Sequence, residues 1–283
     1  MRKIDNYFND IPPSLRPQTL MGNGIIERIL LTKRVDKNDY KGKNKDVKNS
    51  LLTKFHHCCA FCERRIGDYA PIEHFRPKHE ITGVNTEGYY WLGVEWSNLV
   101  IACSDCNSSY KKNNFPVSGE RVTLPEFTDL NDFFSKISIE LLENEQRLLL
   151  HPVLDNPNDY LFFEENGTVS AINNALRGSK SIRYYGLSQP SKRIILIKDR
   201  KEIVDRIRNK LYHFVENYRD DESFYIHIEN LIVTLIVDSQ KNYPHSAVRR
   251  SCLSNFKTFF IDKFEGIDKQ RLELAHQRVV ASQ

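Results

Sequence analysis

The sequence has 283 residues, of which 40% are hydrophobic and 11% aromatic, and its formal net charge is +4. This is enough for one large or two modest packed domains without disulfides, and no segment approaches the ~18 consecutive apolar residues of a membrane-spanning helix. The start lacks the apolar run of a signal peptide, so we expect a cytoplasmic protein whose six cysteines serve metal or thiol chemistry.

The N-terminal part predicts an arm, a helix, a loop and a second helix. Three prolines within the first 17 residues favour an extended arm, and a cluster of isoleucines and leucines indicates the start of a helix. A lysine-rich polar stretch is typical of a mobile loop, and the short helix after it leads into the first cysteines. These four segments are residues 1–20, 21–35, 36–48 and 49–57.

The remainder predicts strands first and helices later. Glycines, prolines and short apolar runs in residues 58–120 indicate strands and loops followed by a short helix. A strand is expected just before Pro152, and the apolar arms around Asn166 and Gly167 predict a β-hairpin. From about residue 173 apolar residues recur at spacings of three and four, which predicts helices. Two further helices are expected over 222–240 and 245–264.

Two C-x-x-C pairs, Cys59 with Cys62 and Cys103 with Cys106, carry the strongest chemical signal. Thiolates suit the soft, tetrahedral Zn²⁺ ion, and each short loop can present two sulfurs about 2.3 Å from one metal. A redox C-x-x-C motif needs only one pair in a thioredoxin-like context. The pattern therefore predicts a structural zinc site, with Cys58 an alternative first ligand that the spacing disfavours.

Several polar residues lie between and just after these pairs, beginning with an acid beside a histidine. In chain order they are Glu73, His74, Arg76, Lys78, Asn98, Asn107, Lys111 and Lys112. Each has an ordinary interpretation as well. A Glu-His step is usually a surface pair, an asparagine often caps a turn or a helix, and lysines are commonly solvated.

The order C-x-x-C, Glu-His-x-x-Pro, Asn-Leu, C-x-x-C-Asn and a trailing Lys resembles the HNH (ββα-metal) endonucleases in their zinc-binding variant. These motifs span residues 59–112. The longer context is similar to the HNH components of Septu and retron-linked antiphage defence systems, up to about residue 200. Glu73 stands where aspartate is common and Asn107 where histidine is common, which leaves the choice of metal open more than the activity.

The resemblance implies a site that hydrolyses phosphodiesters. His74 would be the general base, since a neutral imidazole accepts a proton near neutral pH. Glu73 and Asn107 would hold Mg²⁺ or Mn²⁺ through oxygen atoms, and Asn98 would tether the loop that aims His74. Basic residues near the site would contact the nucleic-acid phosphates. They are Arg76, Lys78, Lys111 and Lys112.

We therefore expect an α+β protein, in which a ββα-metal HNH nuclease module stapled by the four-cysteine zinc site is followed by a β-hairpin and a mainly helical C-terminal region. The zinc would preorganise the catalytic residues without taking part in the reaction. The expected divisions are an N-terminal arm with a basic loop, the nuclease module, and a region for substrate binding or partner docking. They cover residues 1–48, 49–120 and 121–283.

Charge favours a nucleic-acid substrate. Residues 1–57 carry 12 Lys and Arg against 6 Asp and Glu, and residues 173–219 carry 12 against 4. Clustered positive charge is typical of a protein that binds a phosphate backbone. DNA is the favoured substrate, RNA such as tRNA stays open, and so does a non-catalytic, zinc-stapled nucleic-acid-binding module.

The resemblance also implies partners. The sequence has no G-x-x-x-x-G-K-[ST] loop, so the ABC/SMC-like ATPase of such defence systems would be a separate chain. In some systems a reverse transcriptase and its RNA–DNA product would join them. The proline-bearing arm and the amphipathic C-terminal helices are candidate docking surfaces, and no membrane partner is expected.

Overall fold

The structure is a computed structural model, and it describes residues 4, 7–36, 38–41, 46–218, 220–240 and 243–281. They fall into two units, one made of Met1–Tyr160 and Asn173–Leu187, the other of Leu161–Ile172 and Ser188–Gln283. The architecture is α+β and mostly helical, with two small antiparallel sheets. Part of the predicted third region thus lies in the first unit.

Short helices form the N-terminal part of the first unit. They are α1 (Pro17–Gly22), α2 (Ile25–Thr32), α3 (Asn38–Lys41) and α4 (Asp46–Lys54). Pro17 begins α1 at a position where its missing N–H would have had no helical partner. Helix α2 buries Ile26 and Ile29 on one face and ends at Lys33, which takes a left-handed conformation. The helices predicted within 21–35 and near 49–57 are present, and residues 42–45 of the predicted loop lie outside the described part.

A two-stranded sheet positions the predicted site. Strand β1 (Ile72–His74) pairs antiparallel with β2 (Leu99–Ile101), and all six residues are buried. Pro71 and Pro77 flank β1 and keep it short, since neither can donate to a ladder. After β2 the chain forms a π-helical turn over Asp105–Lys111. The order is therefore strand, strand and helical turn.

The N-terminal segment packs onto this sheet. Tyr7 stacks on Trp96 with ring centroids 4.6 Å apart, and both rings are buried. The Tyr7 hydroxyl donates to the carbonyl of Leu99 in β2, and Trp96 Nε1 donates to the Tyr7 carbonyl at 2.9 Å. The predicted arm is therefore a packed segment here rather than an extended one, because its aromatic ring finds a partner 89 residues away.

Two short helices precede the segment in which the sequence predicted a strand, just before Pro152. Helix α5 (Leu130–Lys136) begins after Asp129, whose side chain accepts two backbone N–H bonds, and α6 (Ile139–Glu143) begins after Ser138, whose hydroxyl accepts one from Leu141 N. Residues 144–152 contain no strand, only a bridge between Arg147 and Val117. The strand prediction was wrong because the backbone N–H groups of Leu150 and His151 donate to the side chains of Ser181 and Asp155 instead of to a neighbouring strand. Trp91 and Trp96 are buried core residues.

Helix α7 (Leu176–Tyr184) completes the first unit. The next residue, Tyr185, stacks on Phe61 at 4.1 Å and donates its hydroxyl to the carbonyl of Leu150 at 2.9 Å. A Cβ at Gly186 would lie 2.4 Å from the ring of Tyr110, so only glycine lets the chain approach the π-helical turn this closely.

The second unit contains the predicted hairpin and a helical bundle. Strand β3 (Leu161–Phe163) pairs with β4 (Val169–Ala171), and Gly167 in the turn has φ 84. The hairpin prediction is confirmed, because the turn between the two strands contains Asn166 and Gly167, as predicted.

The helices of this unit are α8 (Ile194–Asn217), α9 (Asp221–Gln240), α10 (Ser246–Ser254), α11 (Phe256–Phe259) and α12 (Gly266–Ala281). The single helix predicted over 245–264 is instead divided. Asn255 and Phe260 leave helical geometry. The short turns that follow each of them bury Phe256, Phe259 and Ile261. A straight helix could not turn all of these apolar residues inward.

No described helix is long and apolar enough to cross a membrane.

His151 joins the segment after α6 to the sheet region of the first unit. Its Nδ1 accepts from the backbone N–H groups of Val153 (3.1 Å) and Leu154 (3.3 Å), so the proton belongs on Nε2, which donates to Ser97 O at 3.2 Å. Burial, reinforced by the nearby charge of Arg147, lowers the pKa of His151 to about 3.

We expect this histidine to make the fold sensitive to mild acid. The unfolded chain protonates it near its ordinary pKa of about 6.5, while the folded chain does not until much lower pH, so stability falls as pH drops between these values. Between pH 7 and 5.5 the loss attributable to His151 is about 1 kcal/mol. Urea unfolding of His151→Gln should show a shallower pH dependence than wild type, whereas exposed His213→Gln should match wild type. Equal slopes for His151→Gln and wild type would contradict the assignment.

Candidate metal centre and adjoining polar site

Four sulfur atoms lie together in the first unit. The Sγ atoms of Cys59, Cys62, Cys103 and Cys106 are all within 4.8 Å of one another, and Cys62 and Cys103 are 3.8 Å apart. Four sulfurs about 2.3 Å from a tetrahedral ion would be separated by about 3.8 Å. The spacing and the donor set fit a metal such as zinc.

Strand β2 brings the two pairs together. The turn that carries Cys59 and Cys62 closes through a bridge between Cys58 and Arg65, and its Ala60 N–H donates to Ile101 O at the end of β2. Two residues further along the chain is Cys103. The first cysteine pair is therefore hydrogen-bonded to the strand that leads into the second.

The electrostatics of the cluster favour a bound cation. Hydrogen bonds from the neighbouring thiols, that of Cys103 first, hold the pKa of Cys62 well below its usual range against the effect of burial. Several thiolates at this spacing repel one another unless a positive ion lies between them. Cys58 is buried outside the cluster, and Cys252 is a buried thiol of the second unit.

Glu73 and His74 lie side by side in β1, each only 7% exposed. His74 Nε2 is 2.9 Å from the carbonyl oxygen of Gly93, which the imidazole reaches as a donor. Burial lowers the pKa of His74 to about 3, with the Lys78 charge adding to the effect. The ring is therefore neutral at physiological pH. A Cβ on Gly93 would lie 2.1 Å from Val35, so this anchoring carbonyl depends on a glycine.

Lys111 joins the π-helical turn to β1. Its Nζ lies 2.6 Å from Glu73 Oε1 and donates to His74 O at 2.9 Å, and the side chain is fully buried. Burial raises the pKa of Glu73, and the Lys111 charge opposes that rise. The turn that carries Asn107 is thus held directly against the Glu-His step.

Asn98 is fully buried and makes three hydrogen bonds. Its Oδ1 accepts from Arg76 N at 2.7 Å, and its Nδ2 donates to Arg76 O (3.0 Å) and to Leu92 O (3.1 Å). The side chain thereby fixes both backbone groups of the residue two positions after His74. It also holds the segment whose Gly93 anchors the imidazole. These contacts are compatible with a tethering role for Asn98, which stays a prediction.

The remaining predicted residues divide between interior and surface. Asn107 and Lys78 are half-buried and Lys112 is exposed. Arg76 is buried on Glu145, and Lys111 is buried on Glu73. The predicted phosphate contacts of Arg76 and Lys111 do not fit this arrangement, because both charged groups point to internal partners. Phosphate contact stays a prediction for Lys78 and Lys112.

Half of the twelve Lys and Arg residues in the basic segment 173–219 lie on α8, where some pair with acids one turn away. Lys201 pairs with Asp205, and Arg206 lies 3.4 Å from Glu202. Such exposed pairs contribute little to stability.

Sequence reasoning missed Gly93, Glu145 and His151 as parts of this region. No spacing or motif singles out Gly93, whose contribution is a backbone carbonyl. Glu145 is 69 residues from the arginine it contacts. His151 lies within the longer context that is similar to the Septu and retron-linked components, but nothing local indicates a buried imidazole.

Comparison with known proteins finds two relatives. The chain is 30% identical over 240 residues to the Septu protein PtuB of Bacillus mycoides (strain KBAB4), covering 76% of this chain and 75% of that protein. It is 25% identical over 237 residues to the Septu protein PtuA of the same strain, covering 79% of this chain but only 29% of that longer protein. No family model matches, and no solved structure matches.

Removing one sulfur should strip the metal and unfold the first unit. In Cys106→Ser we expect loss of bound zinc and of helical signal, since structural zinc contributes directly to folding. Elemental analysis and circular dichroism would measure both. Cys58→Ser, a neighbouring buried cysteine outside the cluster, is the control and should keep the wild-type zinc content. A Cys106→Ser protein with the zinc content and unfolding midpoint of wild type would overturn the zinc assignment.

Proposed function

Because this chain belongs to the family of the Septu protein PtuB, we propose that it is a metal-dependent HNH endonuclease that serves as an effector of antiphage defence. The family relation supports the defence role. The observation that carries the nuclease proposal is the junction of the Glu73-His74 step with the π-helical turn through Lys111, beside the four-sulfur cluster. Strand, strand and helical turn follow one another as a ββα-metal module requires.

The donor set near His74 fits a hard cation. Glu73 offers a carboxylate, and Asn107 offers an amide oxygen from the turn that Lys111 holds against β1. Oxygen ligands of this kind suit Mg²⁺ or Mn²⁺. Lys111 already lies 2.6 Å from Glu73 Oε1, so a cation would share this carboxylate with an ammonium group. When bound, the cation would neutralise charge on the phosphoryl oxygens.

His74 would act as the base. With Nε2 donating to Gly93 O, the basic lone pair is on Nδ1. Nδ1 takes the proton of the attacking water as the water oxygen bonds to phosphorus. The phosphorus–O3′ bond breaks, and O3′ leaves with a proton from solvent, giving 5′-phosphate and 3′-hydroxyl ends. Asn98 would hold the backbone of Arg76 and Leu92 on either side of the imidazole, and zinc bound by the four cysteines would hold the strands and the turn together. DNA is the proposed substrate.

A second candidate is a non-catalytic, zinc-stapled nucleic-acid-binding module. The buried Glu73–Lys111 pair favours it, because the carboxylate already has a counter-ion. RNA cleavage is the other alternative, since the chemistry needs no 2′-hydroxyl.

His74→Gln separates these candidates. The glutamine amide can still donate to Gly93 O but cannot serve as a base, so cleavage should fall at least about 100-fold with zinc content and unfolding midpoint retained. Assays would use duplex DNA and tRNA with Mg²⁺, Mn²⁺ or EDTA. The control is His79→Ala, an exposed histidine five positions away. A wild type that binds but cuts neither substrate would favour the binding module.

An ATPase of ABC/SMC-like type is the proposed partner. The match to part of the longer PtuA protein supports association, since a segment like this chain is there joined to further sequence. Helix α9 offers a surface for docking. Ile226, Val233 and Val237 are spaced to form one stripe, and each is about half exposed.

Charges introduced on this stripe should weaken the complex. We expect Val233→Asp with Val237→Asp to abolish co-elution of the chain with the ATPase of its own system in size-exclusion chromatography. Ile267→Asp, an exposed apolar residue on α12, should leave co-elution intact. Undiminished co-elution of the doubly charged variant would rule out this face of α9 as the docking surface. Full unregulated cleavage by the chain alone would count against the proposed ATPase partner.

A further inference from the structure

A buried ion pair lies behind the candidate site. Arg76 Nε donates to Glu145 Oε1 at 2.6 Å, and the two side chains are 2% and 0% exposed. Arg76 Nη2 also donates to the carbonyl of Leu142 at 2.8 Å, and the guanidinium lies over the ring of Phe115 at 5.3 Å. The arginine is therefore fixed by directional hydrogen bonds as well as by charge.

Glu145 also accepts a hydrogen bond from Tyr89, which follows the loop that comes after β1. The hydroxyl of Tyr89 donates to its second carboxylate oxygen, and Tyr89 N donates to Pro77 O at 2.8 Å. One carboxylate thus contacts residues at both ends of the loop 77–88. This loop carries Lys78, one of the two basic residues left for phosphate contact.

Contacts connect the same pair to His74. The backbone N–H and C=O of Arg76 are both held by the Asn98 side chain. Asn98 also holds Leu92 O, next to Gly93, whose carbonyl anchors the imidazole. A displacement of Arg76 would therefore move His74 in two ways, through the backbone of residues 74–76 and through Asn98.

Stability alone does not require this charge pair. An apolar pair of similar volume often folds as well as a buried ion pair, because burying two charges is costly. What the ion pair adds is a fixed orientation of the guanidinium, and with it of the backbone that Asn98 contacts.

We propose that Glu145 is a positioning residue of this site: it fixes Arg76 and Tyr89, and through them the loop and the imidazole of His74. Glu145 lies outside residues 59–112, the span of the nuclease motifs. The inference rests on the proposed function for its catalytic meaning, but the placement of the imidazole can be measured without activity.

The test replaces the polar network by apolar groups. Arg76→Met, Glu145→Leu and Tyr89→Phe are combined so that no charge is left buried alone. A double variant of an exposed pair in the second unit, Lys257→Gln with Glu273→Gln, is the control. Zinc content and unfolding midpoint report folding, and long-range ¹H–¹⁵N spectra report the His74 ring, assigned by comparison with His74→Gln.

In wild type and control we expect a ring protonated at Nε2, as donation to Gly93 O requires. The triple variant should keep its zinc and its midpoint, show a mixture of ring tautomers, and lose kcat roughly 10- to 100-fold with KM nearly unchanged. A triple variant with the wild-type ring spectrum and kcat within about twofold would overturn the proposal.

Glu145→Gln covers the case in which the triple variant does not fold. The glutamine keeps an oxygen for Arg76 Nε but lacks the charge, so the same changes should appear in smaller size. An unchanged ring spectrum and kcat in Glu145→Gln would then overturn the proposal. If wild type cleaves nothing, the proposed function fails, and the ring spectra alone still support or refute the positioning role.

Discussion

The first unit depends on the approach of four cysteine sulfurs, which joins two chain segments 41 residues apart. Four thiolates at this spacing would repel one another without a cation between them, so the cluster could hold a metal such as zinc. The turn of the first pair is hydrogen-bonded to β2, and the second pair opens the π-helical turn. A metal bound at this point would therefore fix the strand, the turn and, through Lys111, the Glu73-His74 step of β1.

The polar groups around that step form a dense interior network. Asn98, Arg76 and Lys111 are all but inaccessible, and each uses its hydrogen bonds on backbone groups or a buried carboxylate. Such a network is favourable only when every member has a partner, and it then permits one arrangement of the backbone. That rigidity would suit the proposed site, in which a single imidazole must be aimed at the attacking water.

Patterns of short range were read correctly from the sequence. The C-x-x-C spacing predicted the sulfur cluster, Asn166 and Gly167 predicted the hairpin, and the periodicity of α8 predicted a long helix with one buried face. These features depend on residues within a few positions of each other. The strand predicted before Pro152 was wrong because its backbone N–H groups bond to distant or local side chains, and the single helix over 245–264 was wrong because buried aromatic residues outweighed periodicity.

Residue identity and spacing alone thus establish the donor chemistry of this protein: four thiols in two pairs, and a Glu-His step between them. They do not establish where charged side chains point. Arg76 and Lys111 look like surface cations in the sequence, yet each is buried on a carboxylate, 69 and 38 residues away. The reason is that local periodicity reports which face of an element is apolar, whereas the partner of a buried charge is chosen by packing between distant segments. The tautomer of His151 and the carbonyl that holds His74 were settled in the same way, by backbone groups that no motif encodes.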